Sequence, residues 1–360
     1  MSRRLRLGVI GAGGIARRRT IPGMLRAKNC QVVAVMDPAD GGRVAAEVAA
    51  EFGVPRAYAS QEQLLADPEV EAVYIASPVA AHAGQIVAAA RAGKHVLCEK
   101  PLAINLRQAR RAVEACRHHG VLLQEGYMMT FHGAHQRAKE LIEAGRLGRI
   151  VSMRAQLSCW YPPIPGAWRQ NPRTGGGGAL VDMASHLFDL LEFFAGPIRR
   201  VAARVGRLVQ GYQSEDASTT LLEFRSGALA TVDCFFCIPD EASRTRLEIY
   251  GSAGALLAEG TIGQGGGGKL EGMFDLGAAG YDAAQSKDVA RRFRRVPFPR
   301  VNLYTAECDA FARAVLENRS PRRNGPEQSL HLLEVVARAY ESARTGRIIT
   351  LRTPNRGRRT

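Results

Sequence analysis

Nowhere does this chain hold an apolar run near the roughly 18–20 residues that a membrane-spanning helix needs. A role inside a bilayer is therefore not expected. Aromatic residues are few, 6% of 360, and lysine gives way to arginine. The formal charge of +15 is spread along the whole sequence. Local clusters occur at Arg17-Arg18-Arg19, at Arg291-Arg292 with Arg294-Arg295, and from Arg356 to Arg359. A nucleic-acid-binding protein concentrates such charge on one element and interleaves aromatics. Solvated polar faces are expected here instead, with attraction to small anionic ligands second. Cysteine is also too irregular for a disulfide framework: seven residues, an odd number, fit a reducing compartment better. The single Cys-x-x-C, Cys234 and Cys237 in "TVDCFFCIP", falls in a segment that reads as a strand, where positions i and i+3 face opposite sides. Core packing, not metal binding, is expected of it. No metal site is expected elsewhere: His118 and His119 end a helix, and His132 and His135 lack an acidic or thiol partner at useful spacing.

What is present is ample for two domains. The length exceeds one ordinary domain, and 46% of the residues are hydrophobic. "LRLGVI" is an apolar strand that runs into Gly11-Ala12-Gly13-Gly14-Ile15-Ala16, the G-x-G-x-x-G/A form of a dinucleotide fingerprint. The first glycine permits a tight turn. The second lets backbone approach a pyrophosphate, and the small Ala16 lets the helix pack close to its strand. The next strand, "CQVVAVMDP", ends at Asp37, at the spacing of a ribose-binding acid. A carboxylate there accepts from ribose hydroxyls and repels a 2′-phosphate, which predicts NAD; nearby Arg43 leaves NADP open. Helix and strand then alternate. Helices end at Gly53, Gly93 and Gly120, and two are opened by Ser60 and Asn105 as caps. The pattern predicts a parallel sheet with helices on both faces. Its strand ends carry Gly11, Asp37, Ser77-Pro78, Glu99-Lys100-Pro101 and Glu125-Gly126, converging on one crevice. The "MSRRLRL" start faintly resembles a twin-arginine export signal. Its apolar part is short and houses the fingerprint, so a cytoplasmic protein is expected.

The fingerprint, followed by "SPVAAH", "CEKPLA" and the glycine-led "DMASH", resembles the Gfo/Idh/MocA family of NAD(P)-dependent oxidoreductases. The resemblance extends through "AHQRAKELIEAGRLGRI" and "EDASTTLLEFRSGAL" to "ARAYESARTGRIITL". It implies an α/β fold: an N-terminal Rossmann dinucleotide-binding domain (1–126) and a C-terminal α+β domain with a large, mainly antiparallel sheet (127–351). A basic tail (352–360) would follow. It also implies hydride transfer between a nicotinamide and a secondary alcohol or ketone of a sugar, amino sugar or cyclitol, and a homodimer or homotetramer. Two other readings stay open: cleavage or elimination of a glycoside by transient oxidation with tightly held NAD, and a non-catalytic dinucleotide-binding scaffold.

The resemblance places Lys100, Asp182 and His186 in the catalytic centre. Lys100 would hold the substrate oxygen and His186 would exchange its proton, since an imidazole titrates near neutral pH. Asp182 would bind substrate or orient the site. The run Gly175-Gly176-Gly177-Gly178 would let the chain press against nicotinamide and substrate, and a helix after it would aim Asp182 and His186, at i and i+4, the same way. Cofactor contacts are expected from Gly11, Gly13, Gly14, Ile15, Asp37, Ser77, Pro78, His82, Glu99 and Lys100. His82 would lie near the nicotinamide ribose, and the Trp168-Arg169 pair would reach the cofactor from the second domain. Tyr127 is a candidate for the substrate pocket. Its segment, "GYMMTFHGAHQ", carries Thr130 and Gly133 where relatives often have arginine and proline. Two long loops, "SCWYPPIPGAWRQNPRTGG" and "TIGQGGGGKLEGMFDLGAAGYDAAQSKD", are where substrate specificity is expected.

Overall fold

The computed structural model describes residues 3–276 and 293–351. The arginines at 291–292 and the basic tail 352–360 lie outside the described residues.

The first sheet has six parallel strands: β1 (Leu5–Ile10), β2 (Cys30–Met36), β3 (Arg56–Tyr58), β4 (Ala72–Ile75), β5 (His95–Glu99) and β6 (Leu123–Gly126). Their spatial order is β3-β2-β1-β4-β5-β6, so the order reverses beside β1. Strands buried on both faces read as continuous apolar runs, and β4, "AVYI", is buried at every residue. Among the helices that cover this sheet are α1 (Ile21–Met24), α2 (Arg43–Phe52), α3 (Gln61–Ala66), α4 (Val79–Arg91) and α5 (Leu106–His118). The anticipated caps form. Ser60 accepts from the Gln63 N–H and Asn105 from the Gln108 N–H, each satisfying a donor that the first helical turn leaves unpaired.

The chain then builds α6 (Gly133–Glu143), β7 (Ile150–Ser158), α7 (Pro172–Gly175) and α8 (Ser185–Ala195). Next come β8 (Ile198–Gly206), β9 (Ala217–Phe224), β10 (Leu229–Phe235), β11 (Arg246–Gly251), β12 (Gly254–Glu259), β13 (Lys269–Met273) and β14 (Arg294–Arg295). Helices α9 (Leu303–Leu316) and α10 (Pro326–Thr345) and the short β15 (Ile349–Thr350) end the described chain. The second sheet runs β14-β13-β12-β11-β7-β10-β9-β8-β15. Only β7 and β10 pair in parallel; the other described pairs are antiparallel. Helix α8 packs its apolar faces, Leu187, Phe188, Leu190 and Leu191, into the core of this second sheet.

Sequence order and packing diverge at the C-terminus. Helix α9 returns to the first sheet: Cys308, Phe311 and Ala312 join Leu7, Val9 and Val35 in one core. Helix α10 serves both halves, with Leu333 in the first domain's other core and Leu332, Val335 and Val336 in the second. The two halves are therefore packed together by the last helices.

Cys234 is buried in β10, but Cys237 lies past the strand end, its thiol 3.6 Å from the Asp216 carbonyl. All seven cysteines are free. Among the described residues, no three His, Cys, Asp or Glu side chains converge as a metal site. No described helix is long and apolar enough to cross a membrane.

Candidate active site

The crevice begins at the end of β1. Gly11 turns in the left-handed region (φ 84°), and a Cβ there would stand 2.7 Å from the Ser77 backbone nitrogen. Only glycine tolerates both conditions. The following helical segment, Ala12–Thr20, is wound wide, with Ala16 fully buried against the sheet. Gly14 is the open position: a Cβ on it would meet no protein atom within 4 Å. Ile15 packs against the second domain's core. At the end of β2, Asp37 accepts from the Gly13 N–H (2.9 Å) and the Ala39 N–H (3.0 Å), so its carboxylate is pinned beside the fingerprint. Arg43 is bound to Asp40 (2.5 Å) and Glu47 (2.6 Å). These residues fit a dinucleotide: a glycine cradle, an open approach and an acid fixed beside it.

At the end of β5, Lys100 reaches into the second domain. Its ammonium donates to the Asp182 carbonyl (2.6 Å) and to Asp182 Oδ1 (2.8 Å). Arg169 donates to the same Oδ1 (3.2 Å) and stacks over Trp168, 4.2 Å from the ring centre. Burial alone would raise the Asp182 carboxyl. Lys100 and Arg169, joined by His186, outweigh it and hold Asp182 well below the usual carboxylate range. His186 is lowered too, which for an imidazole favours the neutral form. Burial first, then Lys100 and Arg169, hold its imidazole well below the ordinary histidine value, against the opposing pull of Asp182. The site thus pairs a fixed carboxylate with a neutral imidazole. Tyr127, almost fully buried, stands edge-on to His186 with ring centres 5.4 Å apart. Glu99 accepts from the Tyr74 hydroxyl (2.6 Å), which in turn bonds Thr20 (2.8 Å).

Three expectations need correction. The glycine run does not open toward a ligand. A Cβ on Gly177 would lie 1.9 Å from the Tyr340 hydroxyl oxygen, and one on Gly178 1.9 Å from the Glu215 carbonyl oxygen. The close approach is to the protein's own chain, and Glu215 Oε1 caps the following turn by accepting from Gly178 N–H and Leu180 N–H. That turn, Leu180–Ala184, is π-wound before α8 begins, so Asp182 and His186 are not a plain α-helical i, i+4 pair. His82 is buried, with Nδ1 2.9 Å from the Pro101 carbonyl and Nε2 2.8 Å from the Ser77 carbonyl. It ties the end of β4 to the Lys100 turn, beside the site. Finally, the second long loop is not one loop. It contains β13, its Gly267 carbonyl accepts from His132 and its Thr261 bonds His135; its part at 277–288 lies outside the described residues.

At Gly133 the Pro299 carbonyl oxygen would lie 1.9 Å from any Cβ, so a side chain there needs the backbone to shift. Sequence reading missed Glu215, Tyr340 and Asp189 altogether. Of these, only Asp189 left a signal, as an acid three residues after His186 in the otherwise apolar "HLFDLLEFF".

The family pattern described as oxidoreductase, NAD-binding Rossmann fold, matches residues 5–127, and that of the GFO/IDH/MocA C-terminal domain matches 135–257. A 1,5-anhydro-D-fructose reductase of Ensifer adhaerens is 32% identical, over 97% of this chain and 99% of its own. A D-xylose 1-dehydrogenase (NADP(+)) of Haloferax volcanii is 31% identical, over 96% and 99%. The crystal structure of an aldose-aldose oxidoreductase from Caulobacter crescentus superposes with a TM-score of 0.84 at 24% identity, covering 97% of this chain and all of that one. With matched patterns across both domains and full-length relatives above 30% identity, the chain belongs to the Gfo/Idh/MocA family of NAD(P)-dependent oxidoreductases.

Proposed function

We propose that this enzyme transfers hydride between a nicotinamide and a secondary alcohol or ketone of a sugar, amino sugar or cyclitol, with NAD as the preferred carrier. The observation that carries the reading is the Lys100–Asp182–Arg169 contact beside a neutral, buried His186. The bound nicotinamide supplies the hydride acceptor or donor. His186 takes the hydroxyl proton when the alcohol is oxidised, which requires the unprotonated imidazole that its surroundings maintain. Lys100 lies at the substrate oxygen and offsets the negative charge that develops there. Asp182 keeps Lys100 and Arg169 in place, because its carboxylate and carbonyl are their partners. The names of the two full-length relatives, a reductase of an anhydro-ketose and a dehydrogenase of xylose, support a sugar substrate. The preference for NAD is supported by the pinned Asp37 carboxylate and by Arg43, whose charge is already matched by Asp40 and Glu47. The loop before α7 supports specificity at the site, since it supplies Arg169 and holds Tyr161 near Asp182. Exposed Leu221 and Leu229 on the solvent face of the second sheet support pairing with a second copy.

The test is absorbance of reduced nicotinamide with NAD or NADP against aldoses, anhydro-sugars, amino sugars and inositols. NAD-dependent turnover of one sugar is expected, with kcat lower by about 10²–10⁴ in His186→Ala. Cleavage of a glycoside with no net NADH would replace this reading with the transient-oxidation one.

A further inference from the structure

The segment "EDASTTLLEFRSGAL" opens on residues that the reaction above does not use. Glu215 stands just ahead of β9, and its bonds run to the turn that carries Asp182. Three consecutive backbone donors go to this one residue. The Gly178 N–H (2.9 Å) and the Leu180 N–H (3.1 Å) reach its Oε1, and the Ala179 N–H reaches its carbonyl (3.1 Å). The Asp182 N–H in turn donates to the Gly178 carbonyl (2.9 Å). Asp182 is thus one hydrogen bond away from a residue that Glu215 holds.

Glu215 is itself fixed from three sides. Ser214, before it, donates from its N–H to the Gln170 carbonyl (3.2 Å) and from its hydroxyl to the Arg169 carbonyl (3.0 Å). Asp216, after it, is fully buried, and its carboxylate accepts from the N–H groups of Leu208 (2.8 Å), Val209 (2.8 Å) and Gln210 (2.7 Å). Two adjacent residues therefore grip the two segments that meet at Asp182 Oδ1: Ser214 holds the one with Arg169, and Glu215 the one with Asp182 itself. The third tie is Tyr340 of α10, whose hydroxyl donates to Glu215 Oε1 (2.7 Å). Helix α10 is rooted in the cores of both domains, so this bond sets the turn against both at once. Lys100 enters the site from the first domain and Asp182 from the second.

The tie matters at Lys100 because one of its bonds is to backbone. Its ammonium donates to the Asp182 carbonyl as well as to Oδ1. A carboxylate can rotate to follow a moving cation, but a backbone carbonyl moves only with its turn. A shift of the turn therefore shifts the seat of the ammonium with it, and a misplacement of about 1 Å at a reacting centre can cost about 10² in rate.

We propose that Glu215, braced by Tyr340, is the positioning residue of this active site: it fixes the Asp182 turn and thereby the place of the Lys100 ammonium at the substrate oxygen. Its effect on rate rests on Lys100 acting there as described above; its effect on the place of Lys100 does not. All three side-chain bonds fall on Oε1, so the role needs an acceptor oxygen at that point and not a charge.

The first test needs no substrate. The chain has six lysines, which makes their ammonium signals resolvable in protein labelled with ¹³C,¹⁵N-lysine. The Lys100 signal is assigned against Lys100→Arg. In Glu215→Ala it is expected to shift while the other lysine signals stay in place, and in Glu215→Gln, whose amide oxygen still accepts, to return toward its original position. Tyr340→Phe, which leaves the bonds to the turn intact, should move it by less and in the same direction. A Lys100 signal unchanged in Glu215→Ala overturns the proposal; if that variant does not fold, a signal unchanged in Tyr340→Phe does so. The second test uses the sugar found in the panel. In Glu215→Ala, kcat is expected to fall about 10²-fold, with NADH affinity by fluorescence titration unchanged, because the fingerprint lies on the other domain. Glu215→Gln should regain most of the loss, since a neutral acceptor keeps about half the strength of a charged one. An intact kcat in Glu215→Ala, or an equal loss in Glu215→Ala and Glu215→Gln, also overturns it. If no sugar is oxidised yet the Lys100 signal responds as expected, the positioning stands and the hydride reading fails. An indifferent Lys100 signal in an enzyme that oxidises a sugar means the reverse.

Discussion

Two glycine runs precede the two helical turns on which this site is built, and they do opposite things. Around Gly11–Gly14 the chain leaves room: Gly14 faces no protein atom within 4 Å, and Gly13 meets only the side-chain ends of Val44 and Asp37. Around Gly175–Gly178 the space is already filled, by the Tyr340 hydroxyl and by the Glu215 backbone. The first run is a cradle and the second a joint. A glycine in a sequence announces close approach, but it does not name the partner. The partner of the second run lies some 37 residues on at Glu215 and far beyond at Tyr340, which no local pattern reveals.

The contrast breaks most sharply at Gly178. A methyl group there must displace a backbone carbonyl, which has no rotamer to yield. Gly178→Ala is expected to cost about 3 kcal/mol. The measurement is denaturant unfolding. A change within about 0.5 kcal/mol, the range of an ordinary surface substitution, would show that the second run is open after all.

The first run should respond in binding more than in folding. In Gly13→Ala the new methyl meets Val44 Cγ1 at 3.0 Å and Asp37 Oδ2 at 3.2 Å, both on side chains able to give way. Stability is expected to fall by about 1 kcal/mol. NADH affinity, read by fluorescence titration, is expected to fall about tenfold or about 1.4 kcal/mol, because the same methyl occupies the approach to the backbone and disturbs Asp37. Unchanged affinity would mean that the cradle is not where the dinucleotide sits.

The same division explains what a single sequence revealed. Elements set by local chemistry were legible: the strand before Gly11, the caps at Ser60 and Asn105, and the alternation that makes the parallel sheet. So was the meeting of Lys100 with Asp182, because the family resemblance places both at one centre. What failed depended on contacts between distant residues. The place of His82 in "SPVAAH" likewise says nothing of its bond to the Pro101 carbonyl 19 residues on. The π-wound turn at Leu180–Ala184 is led by the Gly178 and Leu180 N–H groups that Glu215 holds, again a distant partner. Helix α9 reads as an ordinary amphipathic helix, and only the fold shows its Phe311 in the first domain's core.

Charge extends the contrast between open front and filled back, with a smaller expected effect. Asp182, at the front, is held below its unfolded value chiefly by Lys100 and Arg169 against burial. Its stabilising share is therefore present above the ordinary aspartate value of about 3.9 and is lost as the pH falls below it. Glu125, at the back, is raised by burial to about 8. The folded state then holds a proton that the unfolded chain gives up near pH 4.5. Its share is complete below that value and is lost as the pH rises through about 8. The two signs together place the stability maximum on the mildly acid side of neutrality. Scanning calorimetry from about pH 5 to about pH 9 should show Tm declining toward the alkaline end. In Glu125→Gln, which cannot ionise, that decline should shrink by about 3 °C. An equal alkaline slope in both proteins would mean that Glu125 is already ionised at neutral pH, and the back of the site would then be as solvated as the front.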